Sequence, residues 1–216
     1  MANQSQSIPL HFVHHTSPRN DAIPLIFVHG WPGSFLEVEY IIDLLTNPPN
    51  ASLPAFQVVA PSIPGYGFSP APDFDGFGPR EAGHAFNALM QQLNYSKYVY
   101  QGGDLGGLML PYMAYEFPEN FVSGLANIWP VAPNAVDLTR YAGNRSTADE
   151  IAYIQNIEAY ITQRSGYRQV MQTRPLLVSY ALTDSPLGFT MWYVDLLCES
   201  NHVDLIMCIT TGSAVQ

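Results

Sequence analysis

Apolar residues recur along the chain in short dense blocks, separated by longer stretches with helical spacing. Residues 8 to 15, IPLHFVHH, alternate loosely and predict an early strand. PLIFV at 24 to 28 is a run of the kind buried in a parallel sheet, and it opens into His29-Gly30-Trp31-Pro32-Gly33. Ser34 and Glu37 have S-x-x-E capping-box spacing ahead of EYIIDLL, which predicts a helix to about Leu45, stopped by NPPN. FQVVA at 56 to 60 predicts a second buried strand ending in SIPGYGFS, and PREAGHAFNALMQQL at 79 to 93 repeats apolar residues at helical spacing. KYVY then predicts a strand, LGGLMLPYMAYEF a helix bent at Pro111, and VSGLANI a further strand.

This βαβ series predicts an α/β protein, with helices on both faces of a mostly parallel sheet and ligand groups in loops beyond the strand C-termini. HGWPG, GYGFS and GGDLGG all fall in such loops. From Trp129 the rhythm changes: PVAPNAVDLTRYAGNRS is expected as a loop, followed by a helical run from about Thr147 to Gln163. A second helix starts near Gly166 and breaks at Arg174-Pro175, and Ser185-Pro186 has the form of an N-cap and first helical position. The expected division is a core over residues 1–129 and a helical lid region over 130–216, inserted after the last strand.

Composition narrows the class of ligand. The 216 residues are 47% hydrophobic, enough for a substantial core, and carry a formal charge of -10 with no basic cluster. Nucleic acid and anionic membrane are therefore excluded as expected partners, in favour of a small ligand that is not strongly anionic. Cys198 and Cys208 form neither a metal-binding spacing nor a disulfide framework. His11, His14 and His15 lack an acidic counterpart at HxxxE or HExxH spacing, and Gly65 and Gly67 lack the rest of a phosphate loop, so neither a metal nor a nucleotide cofactor is expected. MANQSQSIPL shows no signal-peptide pattern and no apolar run is long enough to span a bilayer, so a soluble, cytoplasmic protein is expected.

The sharpest chemical signal is Gly102-Gly103-Asp104-Leu105-Gly106, a G-x-D-x-G pattern between a strand and a helix. It has the spacing of a nucleophile elbow, in which flanking glycines relieve crowding where strand and helix nearly touch. A carboxylate at its centre can attack a saturated carbon and form an alkyl ester, dividing a difficult displacement into two steps. The alternative is an Asx-type turn or helix cap. HGWPG can expose the Trp31 N–H, and the Leu105 N–H follows the elbow, giving two donors for an oxyanion at the ester. Simple packing of Trp31 beside the turn formers Pro32 and Gly33 is the competing explanation. His29 is better suited to orient the turn by hydrogen bonding than to act as a base.

HGWPGS, PGYGFS and GGDLGG resemble the corresponding motifs of α/β-hydrolase-fold epoxide hydrolases, particularly the microsomal, juvenile-hormone and fungal branch. The stretch SGYRQVMQTRPLLVSYALTDSPLGFTMW is similar to the lid signature of that branch, and the resemblance spans roughly residues 8 to 213. It implies a partial α/β-hydrolase fold and hydrolysis of a small apolar epoxide to a vicinal diol. It also implies Asp104 as nucleophile and Tyr167 as one of two lid tyrosines that protonate the opening ring. Without the resemblance, Tyr167 is a partly buried aromatic with a satisfied hydroxyl.

The pattern also breaks. The family completes its cycle with a late histidine paired to an acid, which activates water, and no segment here matches either. His202, the only histidine after His84, lies in lid-like sequence and is not assigned that role. DLIMCITTGSAVQ resembles the approach to the second lid tyrosine, which is unmatched, and the N-terminal meander is expected to be absent. These departures lead to the expectation of a truncated product that lacks late strands, stops at the first half-reaction, or self-associates through uncovered sheet or lid surface. The rival functions are a non-catalytic remnant that binds an apolar ligand or partner chain, and a haloalkane dehalogenase-like hydrolase. The second is disfavoured by Tyr167, since a halide leaves without protonation.

Overall fold

The computed structural model describes residues 8–128 and 131–200, with side chains through residue 194. His202, Cys208, the side chain of Cys198 and the DLIMCITTGSAVQ segment lie outside the described residues. The chain divides into two compact units, Met1–Pro130 and Val131–Gln216.

In the first unit the apolar runs pair as five strands: β1 (Phe12–His15), β2 (Ile23–Val28), β3 (Phe56–Pro61), β4 (Tyr98–Gly102) and β5 (Phe121–Ala126). Their order is β1-β3-β2-β4-β5, with β1 antiparallel to β3 and the other pairings parallel. Short dense runs are what a parallel sheet needs, because its central strands are covered on both faces. Ile26, Val28 and Val59 pack with Phe86, Leu89 and Met90 of α2 (Pro79–Gln92) and with Met109, Leu110 and Met113 of α3 (Leu105–Glu116). Leu25, Val58 and Ala60 face the other way, toward Val38 of a 3-10 turn (Phe35–Val38) and toward Ile42 and Leu45 of α1 (Ile42–Thr46). The result is the α/β arrangement expected from the sequence.

Register positions the candidate site. Val28 of β2 and Ala126 of β5 both pair with Gly102 of β4, so these three parallel strands end level with one another. The loops after β2 and β4, which contain HGWPG and GGDLGG, therefore leave the sheet side by side. Helix α2 starts cleanly because Gly78 precedes Pro79 at the first helical position and the Gly78 N–H donates to Glu81 Oε2 at 3.0 Å. Glu116 of α3 joins α2 by accepting from Arg80 Nε at 2.6 Å and pairing with His84 Nε2.

Two sequence expectations need correction. The helix expected from Ser34 to Leu45 is broken into the 3-10 turn and α1, and Ser34 caps only locally, accepting from the Leu36 N–H at 3.3 Å. In the second unit, the stretch expected as a loop contains α4 (Ala135–Ala142). Its signal was an N-x-x-D box: Asn134 Oδ1 accepts from the Val136 and Asp137 N–H groups while Asp137 Oδ2 accepts from the Asn134 N–H. Thr147 caps α5 (Ala148–Ala159), a short π-helix follows at Tyr160–Arg164, and α6 (Gly166–Thr173) ends before Pro175 opens α7 (Pro175–Asp184). Ser185 Oγ accepts from the Gly188 N–H at 3.1 Å ahead of α8 (Pro186–Ser200), as its spacing with Pro186 predicts. Among the described residues no strand follows β5, and no helix is long and apolar enough to cross a membrane.

The Arg80 and His84 hydrogen bonds hold the Glu116 carboxyl below its ordinary range. A depressed folded value means that its contribution to stability is complete above the unfolded value and is lost as pH falls through the folded one. Glu116→Gln should therefore lower the urea midpoint at neutral pH, and the gap to wild type should close progressively below about pH 4. Paired urea titrations from neutral to acidic pH measure this.

Candidate active site

The site is built at the turn between β4 and α3. Asp104 stands there with φ 47° and ψ -114°, a left-handed conformation that side chains larger than glycine seldom adopt. Its surroundings are tight enough to require glycine. A Cβ on Gly106 would come 2.5 Å from the Val28 carbonyl oxygen, so strand β2 and helix α3 can approach only without it. A Cβ on Gly30 would likewise come 2.5 Å from the Asp104 Cβ, which shows how closely the loop after β2 is pressed against the elbow.

That approach gives the carboxylate two unlike oxygens. Oδ1 accepts the Trp31 N–H at 2.8 Å, whereas Oδ2 accepts no hydrogen bond from any described residue. Leu105 opens α3, so its N–H has no acceptor within the helix and sits at the helix end that favours negative charge. The two donors proposed from sequence thus flank the elbow, with Trp31 in direct contact with Asp104. The Asn127 side chain lies against Gly103 from the end of β5, a neighbour that the sequence patterns did not single out.

His29 supports this arrangement from beneath. Its ring is fully buried, Nε2 accepts the Ile63 N–H at 3.1 Å, and Nδ1 lies 3.0 Å from the Gly30 carbonyl oxygen. One tautomer satisfies both contacts: the neutral ring with its proton on Nδ1, donating to Gly30. The ring thereby ties the loop after β2 to the loop after β3. Tyr66 of GYGFS packs edge-on against His29, with ring centroids 5.9 Å apart, and its phenol is pushed above its ordinary range by burial and by the Asp104 charge. Glu37 Oε1 accepts the Gly30 N–H at 3.2 Å, adding a carboxylate that the sequence had suggested as a capping group.

Tyr167 belongs to α6 in the second unit and is partly buried, its hydroxyl 3.3 Å from that of Tyr160. Tyr160 was missed in the sequence, although it precedes Tyr167 by two helical turns and begins the π-helix. The other described histidines have engagements of their own: His11 Nδ1 with Ser62 Oγ at 2.9 Å, His14 Nε2 with Tyr95 Oη at 2.9 Å, and His84 with Glu116. His15 Nε2 lies 3.9 Å from Asp43. Among the described residues, no three His, Cys, Asp or Glu side chains gather as a metal-binding group.

A strand-to-helix elbow, facing backbone donors and a mostly parallel sheet define an α/β hydrolase. Comparison with known proteins agrees: a family profile described as alpha/beta hydrolase fold matches residues 23–145, and one described as epoxide hydrolase N terminus matches residues 2–38. The N-terminal region that the sequence had suggested was absent is therefore represented in part. The chain is 38% identical over 207 residues to epoxide hydrolase 1 of Sus scrofa, covering 88% of this chain and 45% of that protein. It is 35% identical over 192 residues to a putative epoxide hydrolase of Stigmatella aurantiaca, covering 88% and 42% respectively. Among solved structures, juvenile hormone epoxide hydrolase from Bombyx mori aligns with a TM-score of 0.73 at 31% identity, over 86% of this chain and 46% of that one. Aspergillus niger epoxide hydrolase aligns at 0.65 with 29% identity, over 85% and 47%. The chain belongs to the alpha/beta hydrolase fold family, and it spans about half the length of the curated epoxide hydrolases it matches.

Because His29 satisfies two main-chain groups from a buried position, His29→Leu should leave the Ile63 N–H and Gly30 carbonyl unpaired. Each costs about 1–3 kcal/mol when buried, so the expected loss is about 3 kcal/mol, read from urea unfolding at neutral pH.

Proposed function

We propose that this chain carries the nucleophilic half of an epoxide hydrolase, with Asp104 attacking an apolar epoxide. The observation that carries this is the division of labour within one carboxylate: Oδ1 is held by the Trp31 N–H while Oδ2 has no described hydrogen-bond donor. Oδ2 attacks a ring carbon, the carbon–oxygen bond of the epoxide breaks, and its electron pair goes to the departing oxygen. That alkoxide takes a proton from the Tyr167 phenol, because an alkoxide is a poor leaving group at neutral pH. The product is a hydroxyalkyl ester on Asp104.

The same geometry suits the second step. Oδ1 becomes the ester carbonyl oxygen, and water adding at Cγ moves negative charge onto it. The Trp31 and Leu105 N–H groups are the candidate donors for that charge, and they are main-chain groups that need little reorganisation. Water still has to be activated. The described histidines have the engagements given above, and none of those contacts is with Asp104. The described residues thus support ester formation more fully than ester release.

A second reading, self-association through apolar surface, is favoured by Val122 and Leu125 on the edge strand β5 and by Tyr115 on α3, which are 63%, 66% and 86% exposed. Sedimentation across a concentration series tests it, a stable monomer throughout counting against it.

For the catalytic proposal, the folded protein is incubated with an aryl or alkyl epoxide, followed by intact mass measurement and assay of labelled diol. Wild type should gain the mass of one epoxide, Asp104→Asn should gain none, and Tyr167→Phe should react roughly 100-fold more slowly. Folded wild type that yields neither adduct nor diol would overturn the proposal.

A further inference from the structure

Glu37 has a different task from the one its spacing suggests. Glu37 is exposed, yet its Oε1 reaches back to accept the Gly30 N–H at 3.2 Å. The same oxygen occupies the space over Gly33, where an added Cβ would come within 1.8 Å of it. One carboxylate therefore bears on both ends of the turn from Gly30 to Gly33.

What this controls follows from the peptide planes around Gly30. The plane after its Cα contains the Gly30 carbonyl and the Trp31 N–H, and His29 fixes it by donating to that carbonyl. The plane before its Cα contains the Gly30 N–H, which Glu37 fixes. Glycine between them has the widest backbone freedom of any residue, so holding only one plane would leave the other able to swivel. With both held, two successive amides point at two different carboxylates: Gly30 at Glu37, and Trp31 at Asp104.

We propose that Glu37 is a positioning residue that holds the turn so that the Trp31 N–H stays on Asp104 Oδ1. This rests on Asp104 being the nucleophile. Glu37 itself touches neither the reacting carbon nor Asp104 in this scheme. It acts through the turn, and hydrogen-bond acceptance matters more than its charge.

The rate of adduct formation with styrene oxide, measured against epoxide concentration by intact mass, tests this together with amide hydrogen exchange of the peptide spanning residues 29–34. Glu37→Ala should lower the maximal rate about fivefold, the worth of one modest hydrogen bond, leave the half-saturating concentration unchanged, and speed exchange across the turn. Glu37→Gln keeps an acceptor and should recover most of the rate and protection. Gly33→Ala leaves Glu37 in the chain but takes its seat, so it should reproduce Glu37→Ala. Wild-type rate and protection in Glu37→Ala, or failure of Glu37→Gln to recover them, would overturn the proposal. If folded wild type forms no adduct, the nucleophile assignment fails, and unchanged exchange in Glu37→Ala and Gly33→Ala separately overturns the clamp. Should Glu37→Ala not fold, the comparison of Gly33→Ala with Glu37→Gln decides by the same two readouts.

Discussion

The 2.8 Å hydrogen bond from the Trp31 N–H to Asp104 Oδ1 is the contact around which the rest of the first unit is arranged. It needs two loops, 73 residues apart in sequence, to meet within one side chain's reach. Parallel register supplies the first condition by pairing Val28 with Gly102, so that both strands end at the same level. The absence of side chains at Gly30 and Gly106 supplies the second, because either Cβ would force the elements apart. The buried His29 ring supplies the third, linking the turn to the loop after β3. The strained backbone at Asp104 persists because its neighbours on all these elements leave it little alternative.

This economy makes the functional proposal chemical as well as genealogical. A carboxylate used only as a helix cap would accept from N–H groups in its own first turn. Asp104 makes no such side-chain cap bond, and accepts instead from another loop. In the proposed mechanism its remaining oxygen attacks the substrate carbon, while the bonded one takes the charge that develops later. Membership in the alpha/beta hydrolase fold family accounts for the strand-to-helix elbow. The contacts say what this chain contributes.

Much of this was legible in the sequence because it depends on short-range patterns. Dense runs such as PLIFV and FQVVA mark central strands, and the glycine spacing around Asp104 marks the elbow. Pro175 marks a helix break and Pro186 a helix start for the same reason, since the ring fixes one dihedral angle wherever it occurs. Features that require a partner distant in space were not legible. Ser34 and Glu37 had the spacing of a capping box, but Glu37 is drawn to the Gly30 N–H, and a local rule cannot weigh that competition. The Asn134-Asp137 box is a local signal, but it is obscured by the surrounding stretch rich in turn formers. Tyr160 was missed because its pairing with Tyr167 crosses a π-helix, whose altered period shifts the helix face that a regular 3.6-residue repeat would indicate.

The central claim is that bond formation occurs at Asp104 and at no other carboxylate or phenol near it. Proteolysis of the epoxide-treated protein, followed by fragment-ion sequencing of the modified peptide, locates the added mass directly. The account predicts that the mass of one epoxide sits on Asp104 within QGGDLGGLML. Recovery of the label on Glu37 or Tyr66, with Asp104 unmodified, would contradict it.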